Sequence, residues 1–283
     1  MNFKCRSDSW ERVECTLCES HLKTSVFLSD AENGNIVRCI RCGLAYRNPR
    51  RPEEHFSNYF QEKWTETFAI DKKFRTYILN KISKWILEYC PFPSTILDIG
   101  SSDGELLSYL PESWSRFGVD PSKSACRVAK NIVPTANIIN DTFTNTNLEN
   151  IFFDITTIIS TIYYLPHPLR DLSKIKGLLK HGGIVLIESW NFSNRGYIYR
   201  WLKKGLGKKQ IYFYNPKTIE KIVNKSGMRV VDRIDLPGHG VISSNIAKCI
   251  IYWLEFIITK LIRKLTFERV DLVPWFVLVV KTS

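Results

Sequence analysis

The sequence predicts an α/β protein, an open and mostly parallel sheet flanked by helices, with a small metal-dependent module at its N-terminus. Three observations predict it. "TILDIGSSDGELLSYL" (95–110) reads as a short apolar strand, a glycine-rich turn and the start of a helix, the unit from which open parallel sheets are built. "SRFGVDPSKSACRVAK" (115–130) repeats the pattern, with a strand ending on Asp120 before a second helix. Upstream, "CTLC" and "CIRC" pair four cysteines as two C-x-x-C turns with 20 residues between them. The 283 residues suffice for one sizeable core and one small appendage.

From the N-terminus, "MNFKCRSDSWERVEC" holds no apolar run of signal-peptide length, so the expected compartment is the reducing cytoplasm. There, cysteines serve as thiols or metal ligands rather than disulfides. The net charge of +12 favours an acidic partner, whether phosphorylated substrate, RNA or anionic membrane, without choosing among them. Cys15, Cys18, Cys39 and Cys42 suit one structural zinc ion, because each turn aims two sulfurs at a tetrahedral centre and so short a segment cannot fold on its own core. A redox role is disfavoured, since neither pair opens a helix in a βαβ unit. His21 is an alternative ligand but reads more simply as a surface residue; Cys5, Cys90, Cys126 and Cys249 read as ordinary thiols. The module and its extended, proline-marked exit span 1–52, and the larger domain 53–283. A helix is predicted over 68–89 from the spacing of Phe74, Ile78, Ile82, Trp85 and Ile86.

The glycine turn "GSSDG" admits three ligands. A dinucleotide turn wants G-x-G-x-x-G, but Leu107 stands where the third glycine belongs, and Asp98 and Asp103 would repel phosphates. A nucleophile elbow at Ser102 needs a preceding oxyanion loop that is absent before residue 95. S-adenosylmethionine fits the acidic turn: it has no phosphate, carries a sulfonium and ends in an ammonium. Asp120 then stands where a carboxylate can accept hydrogen bonds from both ribose hydroxyls.

Together with "CTLC", "VRCIRCGLAYRNPRRPEE", "ILDIGSSDGELL", "FGVDPS", "FDITTIISTIYYLPHPLRDLSKIKGLLKHGGIVLIESWN" and "IYFYNPKTIEKIVNKSGMRVV", these features make the chain resemble the class I S-adenosylmethionine-dependent methyltransferases, in the bacterial sugar and small-molecule branch with an N-terminal zinc ribbon. The resemblance implies a Rossmann-like, seven-stranded, mostly parallel sheet. It places Asp98, Gly100, Ser102 and Gly104 at the methionine end, Asp120 at the ribose, Asp141 and Thr142 at the adenine, and Thr161 and Ile162 on the floor. Asp141 could equally be a solvated loop residue. "KHGGIVLIE" would be a glycine turn into the fifth strand.

The chain departs from its relatives after the fourth strand, where many read E-H-x-x-D-P and this one reads "YYLPHP". His167 and Tyr164 become the candidate bases, with Tyr163 and His239 behind them. The segment 192–214 is expected on the acceptor side, with Arg195, Arg200, Lys203, Lys204, Lys208 and Lys209 among six aromatic residues of "NRGYIYRWLKKGLGKKQIYFYNP". Such a loop suits a phosphorylated acceptor, a nucleotide-sugar or a lipid-linked sugar, methylated on oxygen. Sugar C-methyltransferases of this kind carry a further C-terminal domain that is not expected here. RNA methylation is the alternative, since some ribosomal RNA guanine methyltransferases also begin with a zinc ribbon, though usually of mixed cysteine and histidine. A non-catalytic binding protein of the same fold is a third. Finally, "NIAKCIIYWLEFIITKLIRKLTFERV" (245–270) reads as a widely apolar amphipathic helix. It is expected either to lie on the inner face of an anionic membrane, bringing the site to a membrane-linked acceptor, or to pack against protein.

Overall fold

The computed structural model describes residues 10–19, 24–53, 72–92, 94–193, 210–238 and 245–282. Its centre is a seven-stranded sheet. In chain order the strands are β4 (Thr95–Ile99), β5 (Ser115–Val119), β6 (Asn137–Ile139), β7 (Phe153–Ile159), β8 (Leu179–Trp190), β10 (Met228–Leu236) and β11 (Trp275–Thr282). Across the sheet the order is β10-β11-β8-β7-β4-β5-β6, and β11 alone runs against its neighbours. The alternation of side chains divides two cores. Leu97, Val185, Ile187 and Leu278 enter one face, while Ile96, Ile184, Leu186 and Val277 enter the other.

The second face is covered by α1 (Lys72–Tyr89), α2 (Glu105–Ser108) and α3 (Lys123–Ile132). Helix α1 buries Phe74, Ile78, Ile82 and Ile86, as their spacing predicts; residues 68–71 of the expected helix lie outside the described residues. The first face is covered by α4 (Pro168–Leu178) and α5 (Pro216–Lys225), through Leu172, Ile175, Ile219 and Ile222. The expected glycine turn before the fifth strand of this sheet is instead a bulge within β8. Leu179 pairs with Phe153 and Ile184 with Ile155, so the intervening residues swing out, with Gly182 at φ +79.

The N-terminal module is not a tethered appendage. Its strands β1 (Thr24–Leu28), β2 (Ile36–Cys39) and β3 (Ala45–Arg47) form an antiparallel sheet that is completed by β9 (Tyr212–Phe213), from the far end of the segment after β8. Cys15, Leu17, Val37, Leu44 and Tyr46 share one apolar cluster with α4 and α5. Arg47 is 1% exposed and joins the two parts. Its Nε donates to Gln210 O at 2.9 Å, while Nη1 donates to Gly34 O and to Asp30 Oδ2 at 3.0 Å. Between β10 and β11 stands α6 (Ile246–Leu265), within the stretch expected to be helical. No described helix is long and apolar enough to cross a membrane.

Arg47→Met keeps the apolar stem but leaves two buried carbonyls without their donor and the half-buried Asp30 without its cation. It is expected to destabilise the protein by roughly 3–5 kcal/mol, read as a lowered urea midpoint with little change in slope.

Candidate active site and metal centre

In the order of the central sheet, β4 lies between β5 and β7, so the loops leaving β4 and β7 diverge to opposite faces and open a crevice. The residues assigned to the cofactor gather at this edge, after β4, β5, β6 and β7. Gly100 takes φ +76, and a Cβ there would stand 2.2 Å from Thr161 Oγ1, so glycine alone lets the two loops close on each other. Ser102, at φ +51, donates its N–H to Asp120 Oδ2 at 2.9 Å, and Ser122 N donates to Asp120 Oδ1 at 2.8 Å. Each Asp120 oxygen keeps a free lone-pair direction for a hydroxyl donor. Asp98 is buried in β4 and accepts from Thr157 Oγ1 at 2.7 Å. Burial pushes the Asp98 carboxyl up to about 7 and that of Asp120 up to about 6, with repulsion from neighbouring aspartates adding to both.

Three assignments change on this geometry. Gly104 faces α3: its missing Cβ would lie 3.1 Å from that of Ala129, so it serves helix packing. Ile162 is wholly buried in the core and has no side-chain surface to offer a ligand as floor. Asp103, expected to attract the ammonium, is engaged by Arg75 of α1, whose Nη1 lies 3.0 Å from Oδ2 and whose Nη2 donates to Oδ1. Arg75 also reaches Glu105 Oε2 at 3.4 Å, whereas Asp98 and Asp120 have no cationic partner in hydrogen-bond contact among the described residues. Asp141 and Thr142 follow β6 at the outer end of the edge, half-buried, with Thr142 N donating to Asp141 Oδ1 at 2.7 Å; the buried Thr142 hydroxyl has no hydrogen-bond partner.

On the acceptor side, a 3₁₀ turn (Ile162–Tyr164) follows β7. Tyr163 is buried, and desolvation raises its phenol well above the usual range; Tyr164 is half-buried with its ring edge-on at 4.7 Å. His167 is exposed at the head of α4, with Nε2 3.4 Å from Glu53 Oε2. His239 and the basic cluster from Arg195 to Lys209 lie outside the described residues. Sequence reasoning missed Glu188. Buried near the end of β8, it accepts from Ser160 N at 2.7 Å and Ser160 Oγ at 2.8 Å and so holds the turn after β7, where Ser160 takes φ +51. Burial pushes its carboxyl up to about 7. A lone acid in the apolar run "GGIVLIESW" was the available signal.

In the N-terminal module, the sulfurs of Cys15, Cys18, Cys39 and Cys42 all lie within 4.8 Å of one another, with Cys15–Cys42 and Cys18–Cys39 each at 3.4 Å. A tetrahedral ion with bonds of about 2.3 Å sets sulfurs about 3.8 Å apart, so the cluster fits one metal without rearrangement. His21 lies outside the described residues.

A buried pair of acids stands at the switch point of a parallel sheet, and the fold is that of the class I S-adenosylmethionine-dependent methyltransferases. Residues 71–233, more than half of the chain, match the family model described as "Methyltransferase domain", and the chain belongs to that family. It is an S-adenosylmethionine-dependent methyltransferase. No curated protein matches it in sequence. Among solved structures, a possible histamine N-methyltransferase from Thermotoga maritima is 18% identical, with 82% of this chain and 99% of that one covered at a TM-score of 0.55. Magnesium protoporphyrin IX methyltransferase from Synechocystis, solved with S-adenosylhomocysteine, is 9% identical over 82% and 100% at 0.58. The plantazolicin methyltransferase BpumL, also with S-adenosylhomocysteine, is 14% identical over 82% and 95% at 0.53.

If Asp98 and Asp120 receive the cationic cofactor and its ribose hydroxyls, as the sequence leads one to expect, both must be ionised to do so. With both carboxyls raised, binding expels protons as pH falls through about 7 to 6, so affinity should drop on acidification and level off above about pH 8. Titration calorimetry in buffers of different ionisation heat reads the proton release directly. Asp120→Ala should weaken binding at least about tenfold and remove part of the pH dependence.

Proposed function

We propose that the enzyme methylates an oxygen of a sugar, nucleotide-sugar or lipid-linked glycoconjugate, most simply one bearing phosphate. The observation that carries this reading is where the basic, aromatic segment after β8 is tied down. Phe192 N donates to Tyr214 O at 2.7 Å, and Ile211 N donates to Tyr163 O at 2.9 Å, so both ends of that segment are fixed beside the turn that follows β7. Its lysines and arginines suit phosphate oxygens and its rings the apolar faces of a sugar. The named acceptors of the structural neighbours differ widely, so the fold itself does not choose one.

When bound, S-adenosylmethionine supplies an activated methyl group on sulfur. The chain's own residues do the rest: Asp120 holds a ribose, Asp98 and the Gly100 turn receive the methionine end, and Glu188 fixes the turn that faces the acceptor. Transfer to a hydroxyl also requires removal of its proton. His167 is the proposed base, with Tyr164 as the second candidate, and Glu53, at the very start of the larger domain, supplies a carboxylate that relatives carry in their own loop.

We assign the four-cysteine cluster to one zinc ion with a structural role, since four thiolates leave no position for water. Purified protein should carry one equivalent of zinc by elemental analysis, and Cys39→Ser should lose both the metal and stability; a folded, metal-free wild type would end the assignment.

Labelled-methyl assays against nucleotide-sugars, lipid extracts and total RNA test the acceptor. Label is expected in the first or second, and label in RNA alone would replace this reading with RNA methylation. With the acceptor in hand, His167→Ala should lower kcat about a hundredfold with cofactor affinity unchanged, and Glu53→Gln should lower it less.

A further inference from the structure

Helix α6 is turned inside out relative to an ordinary surface helix. The side chains it buries against the domain are Phe256 and Thr259. Arg263 also points inward, with Nη2 2.8 Å from Asp235 Oδ2 of β10. Asp235 is itself buried and paired through Oδ1 with Arg233 Nε at 2.9 Å, and Arg233 Nη1 reaches Asp271 Oδ2 at 2.8 Å. This ion network fixes the rotation of the helix. Glu255, Thr259 and Arg263 face the protein beside Phe256, and the broad apolar face meets solvent.

That face is continuous. Ile246, Ile250, Leu254, Ile257, Ile258 and Leu261 are all exposed, over an arc of roughly 120°. Ile251 is 62% exposed, Leu265 76% and Phe267, just beyond the helix, 88%. More than half of the exposed large apolar side chains among the described residues lie on this one helix. A patch of this kind marks an interaction surface. Its charge decides what covers it. Lys248, Lys260 and Lys264 are exposed on the helix, with Glu268 and Arg269 offsetting each other just after it, whereas the helix's only acid, Glu255, is half-buried. A second copy of the chain is a poor match: laid antiparallel, the helices would set Lys260 and Lys264 near the mate's Lys248, and laid parallel, each lysine would meet its own image. Neither arrangement offers an exposed acid on the helix.

We propose that α6 docks in the interface of an anionic phospholipid bilayer, its isoleucine and leucine face in the acyl boundary and its lysines among the head groups. The helix lies in the plane of the membrane rather than across it, in keeping with its interrupted apolar content. The inference stands on the exposed face and its charge, independently of which acceptor is methylated.

Co-sedimentation with vesicles tests it, using phosphatidylcholine mixed with phosphatidylglycerol against phosphatidylcholine alone. Wild type should pellet with the mixed vesicles, and partitioning should fall at least about tenfold on raising the salt or omitting the anionic lipid. An Ile257→Glu, Leu261→Glu variant should stay in the supernatant while still binding S-adenosylmethionine, because both side chains already face water. Lys260→Glu, Lys264→Glu should lose the preference for anionic lipid. Three results would overturn the proposal: wild type left in the supernatant at low salt, the apolar variant pelleting like wild type, or a stable dimer by sedimentation velocity that the Ile257→Glu, Leu261→Glu changes convert to monomer.

Discussion

Everything at the catalytic edge depends on one close approach, that of the turn after β4 to the turn after β7. With Gly100 lacking a Cβ, Thr161 can sit against the backbone that receives the cofactor. The same contact fixes where β7 ends, and hence where the 3₁₀ turn, Tyr163 and Tyr164 stand. Glu188 holds the other side of that turn through Ser160. Cofactor and acceptor sides are therefore built on a shared hinge of backbone rather than on separate loops. Precision of this kind is what an in-line displacement requires, because reacting atoms must meet within a few tenths of an ångström and a few degrees.

The carboxylates here answer to their surroundings in opposite ways. Asp103 is bound to Arg75, which removes it from the cofactor's field and pins α1 to the glycine turn. Asp98 and Asp120 are left buried without a cation in direct contact, a costly arrangement for two ionised carboxylates. A positively charged ligand would remove that cost. On the proposed reading, this is what would favour a cationic nucleoside over a neutral one.

How much of this was legible in the sequence depends on how local the cause is. Strand, glycine turn and terminal acid lie within a few residues of each other, so Asp98, Gly100 and Asp120 could be read directly. The four cysteines announce themselves by spacing. The roles of Arg75, Glu188 and Glu53 could not be read, because the partners of the first two stand 28 residues away and that of Glu53 is His167, in another part of the chain. Gly104 was misplaced because a glycine in a ligand turn and a glycine under a neighbouring helix look alike until Ala129 is seen above it. In α6 the periodicity revealed a polar stripe but not its direction, which Asp235 decides from another element.

The short strand β9 has a consequence for how the protein is made. Arg47 of β3 and the carbonyl of Gln210, just before β9, are 163 residues apart in sequence, yet they meet at the edge of one small sheet. Translation adds residues at about 5–20 per second, so the first strands to leave the ribosome wait on the order of ten seconds for their last partner. Until then β3 presents an open edge beside reactive thiols. Strands β1 to β3 are thus synthesised well before the strand that completes their sheet, and a metal held early by the four cysteines would protect both edge and thiols while the larger sheet assembles.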